Sequence, residues 1–134
     1  HAGGGGYINT SNLVSNTGVM GTDVTGVGTA RDDVGACSFG NEKGIFGYGS
    51  VSGNQNMTNI VSSTGVVGTD VSGVGTARHA LAATQYGEDK AIFGYGSSPG
   101  VTAITNLVSN TGVVATDVAG VGTARYNAGA CSYN

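Results

Sequence analysis

The sequence is poor in charged residues and in residues that restrict the chain. Only 10% of its 134 residues are charged, it has one proline and two cysteines, and tryptophan is absent. Its five basic residues form no cluster and the net charge is −3, so a phosphate backbone would find little to bind. No apolar run approaches the roughly 18 residues of a membrane-spanning helix, and no charged start followed by an apolar stretch marks a signal peptide. We therefore expect a soluble chain without a nucleic-acid or membrane partner.

Glycine, by contrast, is abundant: 26 residues, roughly a fifth of the chain against an average of about 7%. No Gly-X-Y period runs through the sequence, which excludes collagen. Disordered chains are poor in apolar residues and highly charged, whereas 39% of these residues are hydrophobic. The composition predicts one folded domain over residues 1–134.

The chain contains a repeat with a period of 47 residues. Segments of twenty residues that begin at Asn12, Asn59 and Asn106 align without gaps, and 15 of the 20 positions are identical in all three. Residues 43–49 match residues 90–96 at the same spacing. A constant period of this size indicates one supersecondary unit copied several times. The predicted units are 1–42, 43–89 and 90–134.

Each unit reads as short strands, because runs of β-branched residues are bounded by Gly, Asn and Asp, and no helical pattern is visible. A turn is expected at 110–112, where Gly112 supplies a positive φ, and a loop at 97–100. The strands predicted for the third unit are 91–95, 103–109, 113–118 and 128–133. Four antiparallel strands in about 47 residues are the content of one propeller blade, which makes the expected fold class an all-β propeller.

Two resemblances support this interpretation. Arg31, followed by Gly35-Ala36 and by Ile45-Phe46-Gly47, resembles the kelch propeller repeat, in which an arginine and a glycine-ended strand hold the corresponding places. The double glycine of that family is replaced here by Gly-Tyr-Gly, and its tryptophan is absent. The segments KAIFGYG, TNLVSNTGVVATD and GVGTAR also resemble repeat arrays in uncharacterised virion or tail proteins of aquatic bacteriophages and in environmental sequences. These resemblances imply a kelch-like propeller and a virion location, and they imply no activity.

Three blades cannot close a ring, because closed propellers typically have about four to eight. Open ends would expose unpaired strand edges. We expect the strand at 128–133 of one chain to pair with the N-terminal segment 1–8 of another, giving a homodimer with about six blades. A homotrimer is the alternative, and a longer natural array is compatible with either.

Two polar residue types recur once per unit, namely Asp23, Asp70 and Asp117, and Arg31, Arg78 and Arg125. A catalytic site is needed once, whereas contacts between blades are needed in every blade, so the repetition favours a structural role. Each aspartate is expected to cap the turn after its strand or to pair with an arginine in its own or the adjacent blade. The alternative is a ring of equivalent shallow sites, as in multivalent lectins.

Ligand-facing residues are expected in the loops, including positions where the units differ. The candidates are Tyr48, Tyr95, Asp32, Asp33, His79 and Tyr126. The carboxylates of Asp32, Asp33, Glu42, Glu88 and Asp89 lack the spacing of a calcium loop, so no metal site is predicted. His79 lacks a nucleophile motif beside it, and the glycine strings lack the lysine of a phosphate-binding loop. We predict no catalytic residue and no cofactor.

The two cysteines, Cys37 and Cys131, lie twice the repeat period apart, and Thr84 holds their place in the second unit. Equivalent positions two blades apart are too distant for a disulfide, which needs Cα atoms within about 7 Å. We expect small buried thiols, with a pair across a chain junction as the alternative. Without neighbouring histidines they make no zinc site.

The sequence therefore predicts a non-catalytic structural or interaction module, set in a virion or tail appendage, that partners with itself or another virion protein. The runner-up is a glycan-binding propeller lectin in which Tyr48, Tyr95 and polar loop groups contact the sugar. An enzyme ranks third, because no acid–base pair can be placed.

Overall fold

A computed structural model describes residues 6–133, and in them the chain is built from β-strands without a helix. The all-β class is thus confirmed, and this part of the chain holds no helix that could span a membrane. Most of the N-terminal segment that was expected to pair with a second chain, residues 1–5, lies outside the described residues. The strands are β1 Gly35–Phe39, β2 Lys43–Gly47, β3 Thr58–Val61, β4 Ala82–Tyr86, β5 Lys90–Gly94, β6 Ser97–Ser98, β7 Gly100–Val101 and β8 Thr105–Val108.

The strands form two equivalent three-stranded sheets and one short hairpin. Sheet A has the order β1-β2-β3 and sheet B the order β4-β5-β8, all antiparallel, while β6 and β7 pair with each other. Cys37 lies opposite Ile45 in sheet A, and Thr84 lies opposite Ile92 at the same place in sheet B. The repeat period in the sequence is therefore also the period of the sheets.

A fourth antiparallel segment follows each sheet, but it is only loosely paired. The strand predicted at 113–118 consists of two isolated bridges, in which Val114 and Val118 face the two ends of β8. The returning segment takes four steps between these bridges where β8 takes three, and such an extra residue interrupts a ladder as a bulge does. The turn before it is confirmed, with Gly112 at a φ of 88°. Residues 58–71 repeat this hairpin, and so do residues 11–24.

The strand predicted at 128–133 is wrong, because these residues form no strand. Their counterparts β1 and β4 pair with the strand that follows them, and no described segment follows residue 133 to pair with. Because β1 and β4 pair with the strand that follows them, each belongs to the sheet of the next predicted unit, and the sheets do not coincide with the predicted units. Sheet A with its fourth segment covers 35–71 and sheet B covers 82–118, so each begins eight residues before a predicted unit boundary.

The core lies between the two sheets. Its fully or almost fully buried side chains are Phe39, Ile45, Tyr48, Leu81, Ala91, Phe93 and Val108. The rings of Tyr48 and Phe93 meet edge to face with their centroids 5.2 Å apart. Gly35 lets β1 approach sheet B closely, since a Cβ there would lie 3.2 Å from Leu81 and 3.3 Å from Phe93.

Phe93→Ala should destabilise the fold by about 3–5 kcal/mol, because it empties the centre of this core. Phe46 holds the same place in sheet A but is only half-buried in the single chain, so Phe46→Ala is the matched control, with a smaller expected loss when both variants are measured at a concentration where the chain is monomeric. Urea unfolding followed by circular dichroism measures both. Equal losses would contradict a core placed between the sheets.

Candidate functional site

A linker with the sequence Gly-Val-Gly-Thr-Ala-Arg follows each of the three hairpins. The linkers are residues 26–31, 73–78 and 120–125. In the first two, Gly28 and Gly75 adopt left-handed φ angles of 79° and 76°. A side chain on either glycine would collide with an aspartate of the next repeat, Asp70 or Asp117. The glycines are thus required where the chain passes close to a carboxylate.

In the first of these contacts, Asp70 accepts hydrogen bonds from the preceding repeat. Thr29 donates its backbone N–H over 2.9 Å and its hydroxyl over 2.6 Å to Oδ2 of Asp70. Asn59, on β3, donates its Nδ2 to Oδ1 over 2.9 Å. Arg31 lies 3.6 Å from the same carboxylate as an ion pair. We name the set of Thr29, Arg31, Asn59 and Asp70 junction 1.

Junction 2 has the same arrangement one repeat later. Asp117 accepts from the N–H of Thr76 over 3.0 Å and from its hydroxyl over 2.6 Å. Asn106 donates its Nδ2 to Asp117 over 2.9 Å. Arg78 completes the set. The aspartates thus join adjacent repeats, but mainly through threonine and asparagine, which sequence reasoning missed although both are identical in all three copies.

The junction arginines hold the linkers against the sheets. Arg31 is 9% exposed and donates its Nε to the carbonyl of Tyr48, its Nη1 to the carbonyl of Thr29 and its Nη2 to Oδ1 of Asn59, over 2.8, 3.0 and 2.6 Å. Such charge-assisted hydrogen bonds compensate for the loss of water around a buried guanidinium. The arginine therefore fixes the first linker against sheet A.

Arg78 is fully buried and makes the equivalent bonds in junction 2, to the carbonyls of Tyr95 and Thr76 over 2.8 and 3.2 Å. Its guanidinium also stacks on the ring of Tyr48, 4.3 Å from the centroid, and so touches both sheets. Its Nη2 and Oδ1 of Asn106 are buried and form no hydrogen bond with any described residue. Junction 2 therefore lacks the third hydrogen bond, from Nη2 to the asparagine, that Arg31 makes in junction 1.

The electrostatics of the junctions favour charged carboxylates. Partial burial acts to raise the pKa of Asp70, but hydrogen bonds from Thr29 and Asn59 and the charge of Arg31 together lower it below its ordinary value. The same balance lowers the pKa of Asp117. Burial lowers the pKa of Arg31, and the charge of Asp70 opposes this effect. An arginine stays protonated in proteins, so the junction holds opposite charges at neutral pH.

Two half-junctions lie at the ends of the array. At one end, Asn12 donates to Asp23 over 2.8 Å, and no threonine or arginine among residues 6–133 donates to that carboxylate. We name this pair the acceptor half. At the other end, Arg125 donates to the carbonyl of Thr123 over 3.1 Å and stacks on Tyr95, and no described aspartate accepts from either residue. We name Thr123 and Arg125 the donor half.

The expectation that Tyr48 faces a ligand is wrong, because its side chain is fully buried. Its φ of 61° is left-handed, and its hydroxyl donates to the carbonyl of Val74 over 3.1 Å. Tyr95 repeats this conformation with a φ of 63° and a bond to Val121, and it lies half-buried beneath Arg125. The strands end at Gly47 and Gly94, one residue before each tyrosine, so Tyr95 lies just outside the strand predicted at 91–95.

The remaining candidates do not converge on one site. Nδ1 of His79 forms a hydrogen bond of 2.8 Å with Oδ1 of Asn54. Asp33 and Tyr126 are exposed, and Asp32 is half-exposed. Within the described part of the chain, no three side chains of His, Cys, Asp or Glu form a group that could hold a metal ion. These residues remain candidates without a shared geometry.

The two cysteines differ in their surroundings, and both are free thiols. Cys37 is half-buried in sheet A, and burial raises the pKa of its thiol to about 11. Cys131 is exposed, so the prediction of a buried thiol is wrong at that position. Its counterparts in β1 and β4 are shielded by neighbouring strands, and residues 128–133 lack such a neighbour.

Arg78→Ala should lower the free energy of unfolding by about 3 kcal/mol or more, because it removes two hydrogen bonds from a charged donor, each contributing about 1.5–3 kcal/mol. Arg125→Ala, measured at a concentration where the chain is monomeric, is the matched control: it occupies the same repeat position but is exposed, so the loss of its ring stack and of its hydrogen bond to the carbonyl of Thr123 should cost less. Urea titrations of both variants measure the difference. Similar losses would show that the junction does not stabilise the fold.

Acid should weaken both junctions. Because the pKa values of Asp70 and Asp117 are lowered on folding, their stabilisation is complete above the ordinary value of 3.8 and is lost as the pH falls through the lower folded values. The Asp70→Asn/Asp117→Asn variant should therefore show a flatter stability profile between about pH 2 and pH 5. Urea unfolding across this range measures the slope. Glu42→Gln/Glu88→Gln is the control with the wild-type slope, and equal slopes in all three proteins would refute the assignment.

Comparison with protein-family models and with curated protein sequences finds no match to this chain. The junctions are therefore interpreted from their own geometry.

Proposed function

We propose that the chain is a non-catalytic structural or interaction module whose three repeats assemble with a second copy into a closed, kelch-like β-propeller. This proposal is supported by the contacts that the repeated polar residues make between repeats. In both junctions the arginine, the aspartate, the threonine and the asparagine hold one repeat against the next. The residues that recur most faithfully are thus occupied in joining repeats.

The chemistry of the junctions suits a structural role better than a catalytic one. Arg78 has no exposed surface, and its Nε and Nη1 donate to backbone carbonyls. A group that holds its neighbour in this way is not free to bind or activate a substrate. The carboxylates of Asp70 and Asp117 each accept from three donor groups, and their lowered pKa values make them poor general acids or bases near neutral pH.

The sheets support the propeller interpretation. Each consists of three antiparallel strands with a loosely paired fourth segment, and sheets A and B face each other across the core. Face-to-face packing of small four-stranded sheets is the arrangement of neighbouring propeller blades. In this proposal the ring needs about six such blades, and a virion or tail appendage is the setting that the sequence resemblance implies.

The proposal predicts a closed dimer of about 26 kDa, twice the 13.1 kDa of one chain. Light scattering coupled to size exclusion should give this mass over a hundredfold range of concentration above the dissociation constant. A ring of three copies would keep the closed architecture with a different blade count. A chain that stays monomeric at millimolar concentration, or a mass that keeps rising with concentration, would contradict ring closure.

A propeller lectin with repeated shallow sites is the alternative. The burial of Tyr48 removes one of its two expected aromatic contacts, whereas Tyr126, 55% exposed, remains on the surface. Binding on a glycan array that is lost in Tyr126→Ala would favour the lectin. Absence of binding on a broad array would leave the structural module.

A further inference from the structure

The two ends of the array carry the two complementary parts of one junction. We propose that the donor half of one copy binds the acceptor half of a second copy, so that Thr123 and Arg125 meet Asp23 and Asn12 across a head-to-tail interface. This inference rests on the proposed assembly and names the surface that carries it. The interface would be a third junction with the same chemistry as junctions 1 and 2.

The internal junctions supply the template. In junction 2, Thr76 donates to Asp117 from a linker to the hairpin of the next repeat. One period further on, the donor is Thr123, and the hairpin with the equivalent acceptor is residues 11–24 of the second copy. The hydroxyl and N–H of Thr123 would then donate to Asp23, and Arg125 would donate to Oδ1 of Asn12.

Burial shows which residues lack a neighbour. Asn59 and Asn106 are fully buried, whereas Asn12, at the same repeat position, is exposed. Arg78 is fully buried, and its counterpart Arg125 is exposed. The same residue types thus differ only in whether an adjacent repeat covers them, and a second copy would cover both.

An apolar groove of about 300 Å³ lies beside the acceptor half, with Val34, Ala36 and Phe46 in its lining. Their counterparts in sheet B are Leu81, Ala83 and Phe93, the three residues that Gly35 approaches. Gly129 lies two periods after Gly35, at the same repeat position, and a side chain there would meet nothing within 4 Å. The repeat geometry therefore places Gly129 of one copy against this groove of the other.

A second apolar contact between adjacent hairpins also lacks its partner at each end of the array. The turn at Gly112 lies over Ile60, and the turn at Gly65 lies over Leu13 of the preceding hairpin. At the ends, Leu107 is 38% exposed, and a Cβ added to Gly18 would meet nothing within 4 Å. In the head-to-tail pair, the turn at Gly18 of one copy covers Leu107 of the other.

The backbone offers a further complementary pair. The N–H of Ala80 donates to the carbonyl of Asp33 over 3.0 Å, and the N–H of Asn127 donates to the carbonyl of Ala80 over 2.9 Å. Continuation of this series would bring the N–H of Asp33 in the second copy to the carbonyl of Asn127. In the head-to-tail pair, residues 128–133 of one copy and the hairpin at 11–24 of the other would lie on either side of the place that β2 fills in sheet A. No described residue occupies that place, so the contacts described above must carry the interface.

Asp23→Ala and Arg125→Ala should each raise the dimer dissociation constant about hundredfold or more, because a closed dimer contains the junction twice and each copy loses a hydrogen bond that involves a charged group. The matched controls are Glu42→Ala and Lys43→Ala, which remove exposed charges of the same sign outside the junctions. Sedimentation equilibrium measures the constants. Dissociation constants unchanged by both junction variants would overturn the proposed surface.

A disulfide between two copies tests the position directly. In a Cys37→Thr/Cys131→Thr background, Gly129→Cys in one chain is mixed with Ala36→Cys in another. The internal control is Gly35→Cys/Ala83→Cys in a single chain, where a Cβ on residue 35 lies 3.4 Å from the Cβ of Ala83, close to disulfide geometry. Ser63→Cys, on an exposed turn, replaces Ala36→Cys in the negative control.

We expect the 129–36 disulfide to form as the internal control does, and the 129–63 pair to remain reduced. Equal yields for both pairs, or no 129–36 disulfide in a protein that sediments as a closed dimer, would overturn this interface while leaving ring assembly intact. A 129–36 disulfide in a species whose mass grows with concentration would support the interface and contradict ring closure. A monomer at every concentration would contradict both proposals.

Discussion

A buried arginine, Arg78, ties sheet B to sheet A, and the rest of the structure depends on this contact. A guanidinium that loses its water must find acceptors at fixed positions, and Arg78 finds them in the carbonyls of Thr76 and Tyr95. Its ring partner Tyr48 comes from the preceding sheet. Apolar packing alone is limited here, because many valines are exposed, among them Val19, Val66 and Val113 at 64–66%. The polar contacts therefore also define how one repeat sits against the next.

Repeats that touch only their neighbours have a stability that is roughly a sum of unit and interface contributions. That principle explains why identical residues differ in environment along this chain. Phe93 is fully buried by the sheet before it, whereas Phe46 is half-buried at the end of the array, and Tyr95 is more exposed than Tyr48. An uncovered end repeat is normally capped by a polar surface. Here the end repeats instead expose apolar residues, such as Val34 and Leu107, beside the two half-junctions.

The sequence predicts the period, the strand content and the hairpin turns, because these are local. The turn at 110–112 requires a left-handed φ that glycine adopts readily, and the short apolar runs that contain Ile45 and Ile92, bounded by glycines, suffice to define strands. The features that the sequence does not predict depend on residues that are distant in the chain but close in space. Tyr48 turns into the core, and Asp70 accepts hydrogen bonds from Thr29, only because one repeat packs against the next. Identity across three copies was the available signal for the threonines, but identity alone does not say which repeat a side chain contacts.

Side-chain contacts across the junctions couple adjacent repeats. A double-mutant cycle on Arg31 and Asn59, whose side chains are joined by a hydrogen bond of 2.6 Å between the linker and sheet A, tests this coupling most directly. Free energies of unfolding for Arg31→Ala, Asn59→Ala and the double variant give the coupling energy. The account predicts a favourable coupling of about 0.5–3 kcal/mol, and a value within error of zero would contradict it.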